Sequence, residues 1–243
     1  MTPGGLGEHL QSLKLLPPDY FWHRHRYRLA LEFVPPHART LLDYGCGDGR
    51  FVRTLVQAFK GSGRTILACD TFPLAYEALQ EEIASQQARW LANPAEVQGS
   101  CDFVSALDVI EHCEDDRAEV FALARLLRPG GVLFISVPAF PELWSDWDAG
   151  LGHFRRYRPE GLAELLAAAG LRVQKCSCFF SYLAVPAWLR ARRRGGERPA
   201  QFPILSGPAN GLLNALGFLE RRWLQTWDIP FGSSVFAAAT APT

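Results

Sequence analysis

Leu41-Leu42-Asp43-Tyr44-Gly45-Cys46-Gly47-Asp48-Gly49 decides how this 243-residue chain is read. Two leucines end a stretch apolar enough for a buried strand, and Asp43 stands at its carboxyl end. Glycines then occupy alternate positions, and Phe51, Val52, Leu55 and Phe59 follow at helical spacing. Strand, glycine turn and helix make the first unit of a doubly wound α/β domain, whose ligands bind outside the carboxyl ends of the strands. Glycine lets such a turn be sharp and lets a ligand come close. The dinucleotide fingerprint G-x-G-x-x-G seats a pyrophosphate on the helix amino end. Here the third glycine comes one residue early, and Arg50 follows it. Asp43 and Asp48 also put negative charge where a pyrophosphate would lie, so the loop suits a cationic ligand. The alternative is an ordinary glycine turn.

The next strand sharpens this. Thr65 to Cys69 is short and apolar, and Asp70 ends it, about 20 residues past the glycine loop, where a carboxylate can accept from two ribose hydroxyls. Ala75, Ala78, Leu79 and Ile83 then return at helical spacing. With Asp70-x-x-Pro73-x-Ala75, Asp108-Val-Ile-Glu-His112 and Leu127-Arg-Pro-Gly-Gly131 in order after the glycine loop, residues 38 to 138 resemble the motif series of class I S-adenosylmethionine-dependent methyltransferases. The resemblance implies S-adenosylmethionine as cofactor, S-adenosylhomocysteine as product and no metal. A sulfonium and an ammonium group fit an acidic loop. It further implies that Asp43, Gly45, Cys46, Gly47 and Gly49 hold the methionine part and Asp70 the ribose, with contacts from Thr71, Phe72 and Asp108.

Composition bounds the rest. The length suffices for one α/β domain with a sizeable core. Twenty-five basic and 25 acidic residues balance to zero, so no global field draws in nucleic acid. The six cysteines have no metal-binding spacing and read as reduced, buried thiols of a cytoplasmic protein. No basic segment precedes an apolar run at the start, so no signal peptide is expected. The most apolar stretch, Phe179 to Leu189, is broken by Pro186 and is too short to span a bilayer.

Along the chain, glycine-rich residues 1 to 17 are expected to be mobile at their end. Asp19 is placed to cap a helix from Tyr20 to Phe33, stopped by Pro35 and Pro36. Phe21, Trp22 and Arg26 resemble the lid helix of a bacterial methyltransferase subgroup, which implies an Arg26 contact with the cofactor's carboxylate. The other reading is a solvated basic face with Phe21 and Trp22 packed inward. Ala88 to Ala92 is a third strand. The family often has an aspartate after it for the adenine amino group. This chain has Asn93, whose side-chain carbonyl can accept the same bond. Asp102 to Leu107 is the fourth strand, which brings Asp108, Glu111 and His112 to the carboxyl edge; His112 is either a general base or a tie between loop and backbone. A helix from Asp115 to Arg128 has acids first and arginines last, as the helix dipole prefers. Pro129, Gly130 and Gly131 break it, and Val132 to Val137 is a fifth strand buried on both faces.

Past Pro138 lies a loop dense in aromatic, His and Arg residues, where substrate contacts concentrate. Trp144-Ser-x-x-Asp148 and Gly152-His153-x-Arg155-Arg156-Tyr157 resemble the same subgroup, whose acceptors are small molecules or lipid- and glycan-type compounds. His153 is the candidate general base, and Trp144, Trp147, Arg155, Arg156 and Tyr157 are candidate acceptor contacts; the alternative makes the tryptophans core and the arginines partners of nearby acids. A helix opens at Pro159 and ends at Gly170, and Leu171 to Phe180 is a sixth strand. Next come Pro186 to Leu189, the basic run Arg190 to Arg194 with Arg198, and a helix from Pro208 to Trp227. On that helix Leu212, Leu216, Leu219, Trp223 and Trp227 oppose Asn210, Asn214, Arg221 and Gln225. The apolar stripe is expected to pack on the domain's own core or on a second subunit. The whole insertion is expected to be a mobile cap over the acceptor site, with peripheral contact at an inner membrane face as the sharper alternative. Ser233 to Thr240 is a last strand, which the family resemblance implies lies antiparallel between the fifth and sixth.

The expectation is therefore one α/β domain: a doubly wound, Rossmann-like sheet of seven mostly parallel strands, the last antiparallel, with helices on both faces. Residues 1–37 form a lid, 38–180 the cofactor-binding core, 181–229 the cap and 230–243 the final strand. The expected activity is methyl transfer to a small or lipid-like acceptor by in-line displacement, in a monomer or a homodimer. Two rivals are a catalytically silent binding protein of this fold and a nicotinamide oxidoreductase.

Overall fold

The computed structural model describes residues 13, 15–192 and 203–243. The helices are α1 Phe21–Glu32, α2 Arg50–Ala58, α3 Pro73–Ala78, α4 Gln80–Ala84, α5 Asp116–Leu126, α6 Asp146–Leu151, α7 Pro159–Ala168, α8 Ala184–Arg192 and α9 Gly207–Leu224. The strands are β1 Thr40–Tyr44, β2 Thr65–Cys69, β3 Arg89–Trp90, β4 Cys101–Leu107, β5 Leu127–Pro138, β6 Arg172–Phe179 and β7 Ser234–Thr240. They form one sheet in the order β3-β2-β1-β4-β5-β7-β6. β1 pairs parallel with β2 and β4, and β4 with β5; β7 runs antiparallel to β5 and β6. The strand order reverses between β1 and β4, so the crevice of a doubly wound sheet lies beyond Tyr44 and Leu107.

Alternating side chains divide the core between the two faces. Leu41, Phe103, Phe134 and Phe236 pack towards α1 and α2. Leu42, Val104, Ile135 and Val235 pack with Val120 and Leu123 of α5 and Leu162 and Leu166 of α7. Burial on both faces is why the central strands are continuous apolar runs.

Three local expectations change. Leu127-Arg-Pro-Gly-Gly131 is not a break before the fifth strand but part of it, since β5 starts at Leu127 and a register shift opposite Cys101 absorbs the extra residues. Gly131 allows this: a Cβ there would stand 2.7 Å from the Cys101 carbonyl oxygen. Asp19 does not cap α1; its carbonyl oxygen accepts from the amides of Asn210 and Asn214 instead. The first amide of the helix, Phe21 N–H, donates to Asn210 Oδ1 at 3.0 Å, so the cap comes from α9, 189 positions away.

The third change concerns the insertion. Of the two expected partners of the stripe, the domain's own core and a second subunit, the core is not one: Leu212 is 63%, Leu219 62% and Trp223 58% exposed, whereas Asn210, Gly217 and Leu224 are the buried positions of α9. Polar side chains dock α9 on α1: Asn210 and Asn214 as above, and Arg221 to Glu32 at 3.0 Å. Glu220 accepts from the backbone amides of Phe180 and Ser181, each at 2.7 Å. Fixed polar groups at both ends of α1 outweigh the ordinary preference for apolar burial, because an unpaired buried amide or carboxylate costs more than an exposed leucine. Arg193, Arg194 and Arg198 of the basic run lie outside the described residues.

Candidate active site

The glycine turn carries β1 into α2 at the crevice. Gly45 has φ +71°, and a Cβ there would stand 2.5 Å from Val109 Cγ2, so this position takes no other residue without displacement. Gly45 and Cys46 donate their amides to the Cys69 carbonyl at 2.9 and 3.1 Å, tying the turn to the end of β2. Gly47 N–H donates to Asp70 Oδ2 and Phe72 N–H to Asp70 Oδ1, both at 2.8 Å. Asp48 accepts from the Arg50 amide at 3.2 Å and from its Nε at 2.8 Å. Amides that would cradle a phosphate are thus already bonded to carboxylates, and the rim is anionic.

Asp43 is 2% exposed at the tip of β1 and accepts from Ser105 Oγ at 2.8 Å. Burial, reinforced by the Asp70 charge, pushes its carboxyl up to about 7 against the Ser105 hydrogen bond. Beyond β4, Asp108 has φ +55°, a left-handed conformation that aspartate tolerates better than most residues. Arg26 of α1 is buried and forms an ion pair with the Asp108 carboxylate. The Arg26 side of α1 is therefore not a solvated basic face, although Arg24 and Arg28 on the same helix are more open. Trp22 stacks on Phe180 at 4.3 Å between ring centroids, which anchors α1 to the end of β6. Leu13 and Leu16 are buried as well, and Arg50 donates to the carbonyls of Leu13, Leu16 and Pro17.

A second group of polar residues comes from the loop after β5. Ser145 and Asp148 form a capping box on α6, and Gly152 ends that helix in the left-handed conformation. This turns His153 back so that its Nδ1 lies 3.0 Å from Asp148 Oδ1. Arg156 grips the same carboxylate from Nε at 2.8 Å and Nη2 at 3.0 Å. Burial alone would raise the Asp148 carboxyl, but the bonds from His153 and Arg156 outweigh it and hold it below the usual range. The His112 ring meets that of His153 edge-on at 4.7 Å. Glu111 is fully buried, its carboxylate oxygens have no side-chain hydrogen-bond partner among the described residues, and burial pushes it up to about 8. Among the described residues, Glu111, His112 and His153 each place one potential ligand atom within 4.8 Å of the others.

Both groups open into one cavity of about 1440 Å³. Its acidic end carries Asp43, Gly45, Cys46, Gly47, Asp70, Thr71 and Phe72. Arg26 and Asp108 line it too, as do His112, Trp147, His153 and Arg156. The rest is largely apolar, with Leu143, Leu151, Leu183 and Ala187 on one side and Leu205 and Leu213 from the insertion. Five of the residues singled out in the sequence do not line it. Gly49 is the N-cap of α2, and Asn93 spends its carbonyl on the Ala95 amide at 3.0 Å. Trp144 is part-exposed outside the cavity; Arg155 pairs with Asp116 at 2.7 Å; and the buried Tyr157 hydroxyl donates to Asp116 at 2.8 Å. Asp148 had no assigned part in the sequence reading. The clues to it were its place at the end of the Trp144-Ser-x-x-Asp148 motif and five residues before His153 in the same loop. The long-range contacts of α8 and α9 left no clue.

The methyltransferase domain family profile matches residues 19–175. The ubiquinone biosynthesis O-methyltransferase of Xanthomonas campestris is 31% identical over 171 residues, 61% of this chain and 69% of that protein. That of Azotobacter vinelandii is 30% identical over 117 residues, 44% of this chain and 50% of that protein, so the match spans about half of its length. Among solved structures, Haemonchus contortus phosphoethanolamine N-methyltransferase 2 in complex with S-adenosyl-L-methionine superposes with a TM-score of 0.59 at 17% identity, over 91% of this chain and 53% of the other. That identity speaks for the fold alone. With the family profile covering most of the chain and the crevice of a Rossmann-like sheet carrying the family's motifs, this chain belongs to the methyltransferase domain family.

Proposed function

We propose that the protein transfers a methyl group from S-adenosylmethionine to a hydroxyl of a small acceptor with an apolar body. The observation that carries this reading is one cavity that takes in both the acidic glycine turn and a histidine held by Asp148, with apolar walls from Leu143, Leu151, Leu183, Leu205 and Leu213. At about 1440 Å³ it exceeds the ~300–1,000 Å³ of a usual ligand site, leaving room for an acceptor beside a nucleoside. The acidic end fits the cofactor's cationic groups, and it would repel the pyrophosphate of a nicotinamide dinucleotide. When bound, S-adenosylmethionine supplies an electrophilic methyl carbon on a positively charged sulfur.

The chain's own residues would then do four things. Asp43 and the glycine turn receive the ammonium end, and Asp70 the ribose hydroxyls. Arg26, released from Asp108 or shared with it, offers a cation to the carboxylate end. The walls from α1 and the insertion exclude water, which raises the yield of the aligned displacement. His153 takes the acceptor's hydroxyl proton on Nε2, while Asp148, gripped by Arg156, holds its Nδ1–H in place. The O-methyltransferase names of the relatives favour an oxygen acceptor.

The test is a methyl-labelled cofactor with a panel of hydroxylated aromatics, with and without an alkyl or prenyl tail, and their amine counterparts. Label should appear on the tailed hydroxyl compounds. No transfer to any acceptor, or transfer to amines alone, would overturn the proposal, as would tight nicotinamide dinucleotide binding without cofactor binding. His153→Ala should lower kcat by about 10²–10⁴-fold while cofactor affinity stays within about twofold. A variant that unfolds or loses the cofactor would make His153 structural instead.

A further inference from the structure

Among the described residues, the outer face of α9 has no partner. Leu212, Phe218, Leu219 and Trp223 are 63, 50, 62 and 58% exposed, and Trp227 and Phe231 just beyond the helix are 60 and 55% exposed. A run of large apolar side chains along one surface helix is unusual for a face that stays in water. It arises because the polar side of the helix is committed to α1.

The charge around this face indicates what covers it. α1 and α9 together carry five arginines and two acids. Glu32 is paired with Arg221, and Glu220 is held by the amides of Phe180 and Ser181. Arg26 points into the cavity at Asp108. Arg24, Arg28 and Arg221 lie close enough to oppose one another's charge, and Arg222 is exposed beside Trp223. On α8, exposed Trp188 carries the Arg192 guanidinium 3.7 Å above its ring. The chain as a whole is neutral, so this cationic fringe is local. A second copy seated on the same face would set arginine against arginine, with both acids of the helix pair already engaged. Tryptophans with a surrounding band of arginines instead match the interface of an anionic bilayer, where the rings sit at headgroup depth and the cations meet lipid phosphates.

We infer that the outer face of α9, with Trp227 and Phe231, docks on an anionic lipid surface. No helix among the described residues is long and apolar enough to cross a membrane, so the contact is with one leaflet. The same insertion lines the cavity with Leu205 and Leu213 on its inner side. Docking there would set the apolar end of the cavity next to the bilayer, a source of apolar acceptors. The docking itself does not depend on methyl transfer and is measured without cofactor or acceptor.

The experiment is flotation of the full chain with vesicles of phosphatidylcholine alone or mixed equally with phosphatidylglycerol, at low and high salt. The expected result is binding to the mixed vesicles that weakens with salt, and partitioning at least about tenfold lower for Leu219→Ser/Trp223→Ser. Arg222→Glu should weaken the binding and lower its salt sensitivity, because one cation fewer meets the lipid phosphates. Neither change touches the cavity, so both variants should keep the wild-type melting curve and cofactor affinity. Absence of binding, equal binding to neutral vesicles, or binding untouched by the double variant would overturn the inference. So would a stable dimer by light scattering that the double variant disperses while vesicle binding is absent.

Discussion

Asp43 is buried at the tip of β1, with Ser105 as hydrogen-bond donor and Asp70 as a neighbouring negative charge. With its carboxyl pushed up to about 7, it is largely neutral in mildly acid solution. A cationic ligand needs the ionised form. Cofactor affinity should therefore fall as pH drops below about 7, by up to roughly tenfold per pH unit, and Asp43→Asn should flatten the slope. Calorimetric titration across that range checks this, and a flat wild-type profile would sink it. Asp70 acts differently, because its two oxygens already hold the Gly47 and Phe72 amides. Asp70→Ala should weaken cofactor binding by about 1.5–3 kcal/mol; unchanged affinity in a folded variant would remove Asp70 from the ribose site. Glu111 bears on stability. Its folded value of about 8 lies above the ordinary 4.5, so it favours the fold below about 4.5 and loses that contribution as pH rises towards 8. Relative to wild type, Glu111→Gln should gain melting temperature across that interval and level off above it; a constant difference would mean that Glu111 ionises normally.

At the scale of elements, the contact between α1 and α9 is the one most open to a single substitution. Gly217 lies where the two helices touch, and a Cβ there would enter the space of the His25 ring. Burial pushes His25 down to about 4, so the ring packs there as a neutral group. On an exposed helix, Gly→Ala stabilises by about 1 kcal/mol. Here Gly217→Ala should instead destabilise by roughly 1–3 kcal/mol through overpacking, in chemical denaturation. A stabilised variant would show that the two helices are not held this closely. The glycine turn was legible from sequence because its parts are contiguous: strand end, positive-φ glycine and helix start lie within ten residues. The α1 cap was not. A local rule points to Asp19, yet the bond comes from Asn210, and sequence rules have no access to a partner so distant.

For the whole molecule, residues of α1, α8 and α9 line one cavity at the crevice of the sheet, so the proposed cofactor and acceptor sites share walls drawn from both ends of the chain. A ligand that binds this folded form alone stabilises it by mass action. S-adenosylhomocysteine at about a hundred times its dissociation constant should add about 2.7 kcal/mol, read as a raised melting temperature. NADH at the same concentration should add none. The reverse pattern would refute the cofactor assignment.

The sequence by itself determined the doubly wound sheet and the acidic turn at the switch point, whereas the antiparallel last strand was only what the family resemblance implied. Apolar runs, glycines and strand-end carboxylates encode those features within short stretches of chain. Only the tertiary structure decided which of the loop residues reach the cavity. His153 reaches it, held from behind by the buried Asp148, because a capping box and a left-handed Gly152 reverse the chain, while Arg155 and Tyr157, two and four residues past His153, turn away to Asp116. The tertiary structure alone also decided which face of α9 is outward. Amphipathic periodicity assumes that burial selects the apolar side, and here hydrogen bonds and ion pairs to α1 selected the polar one.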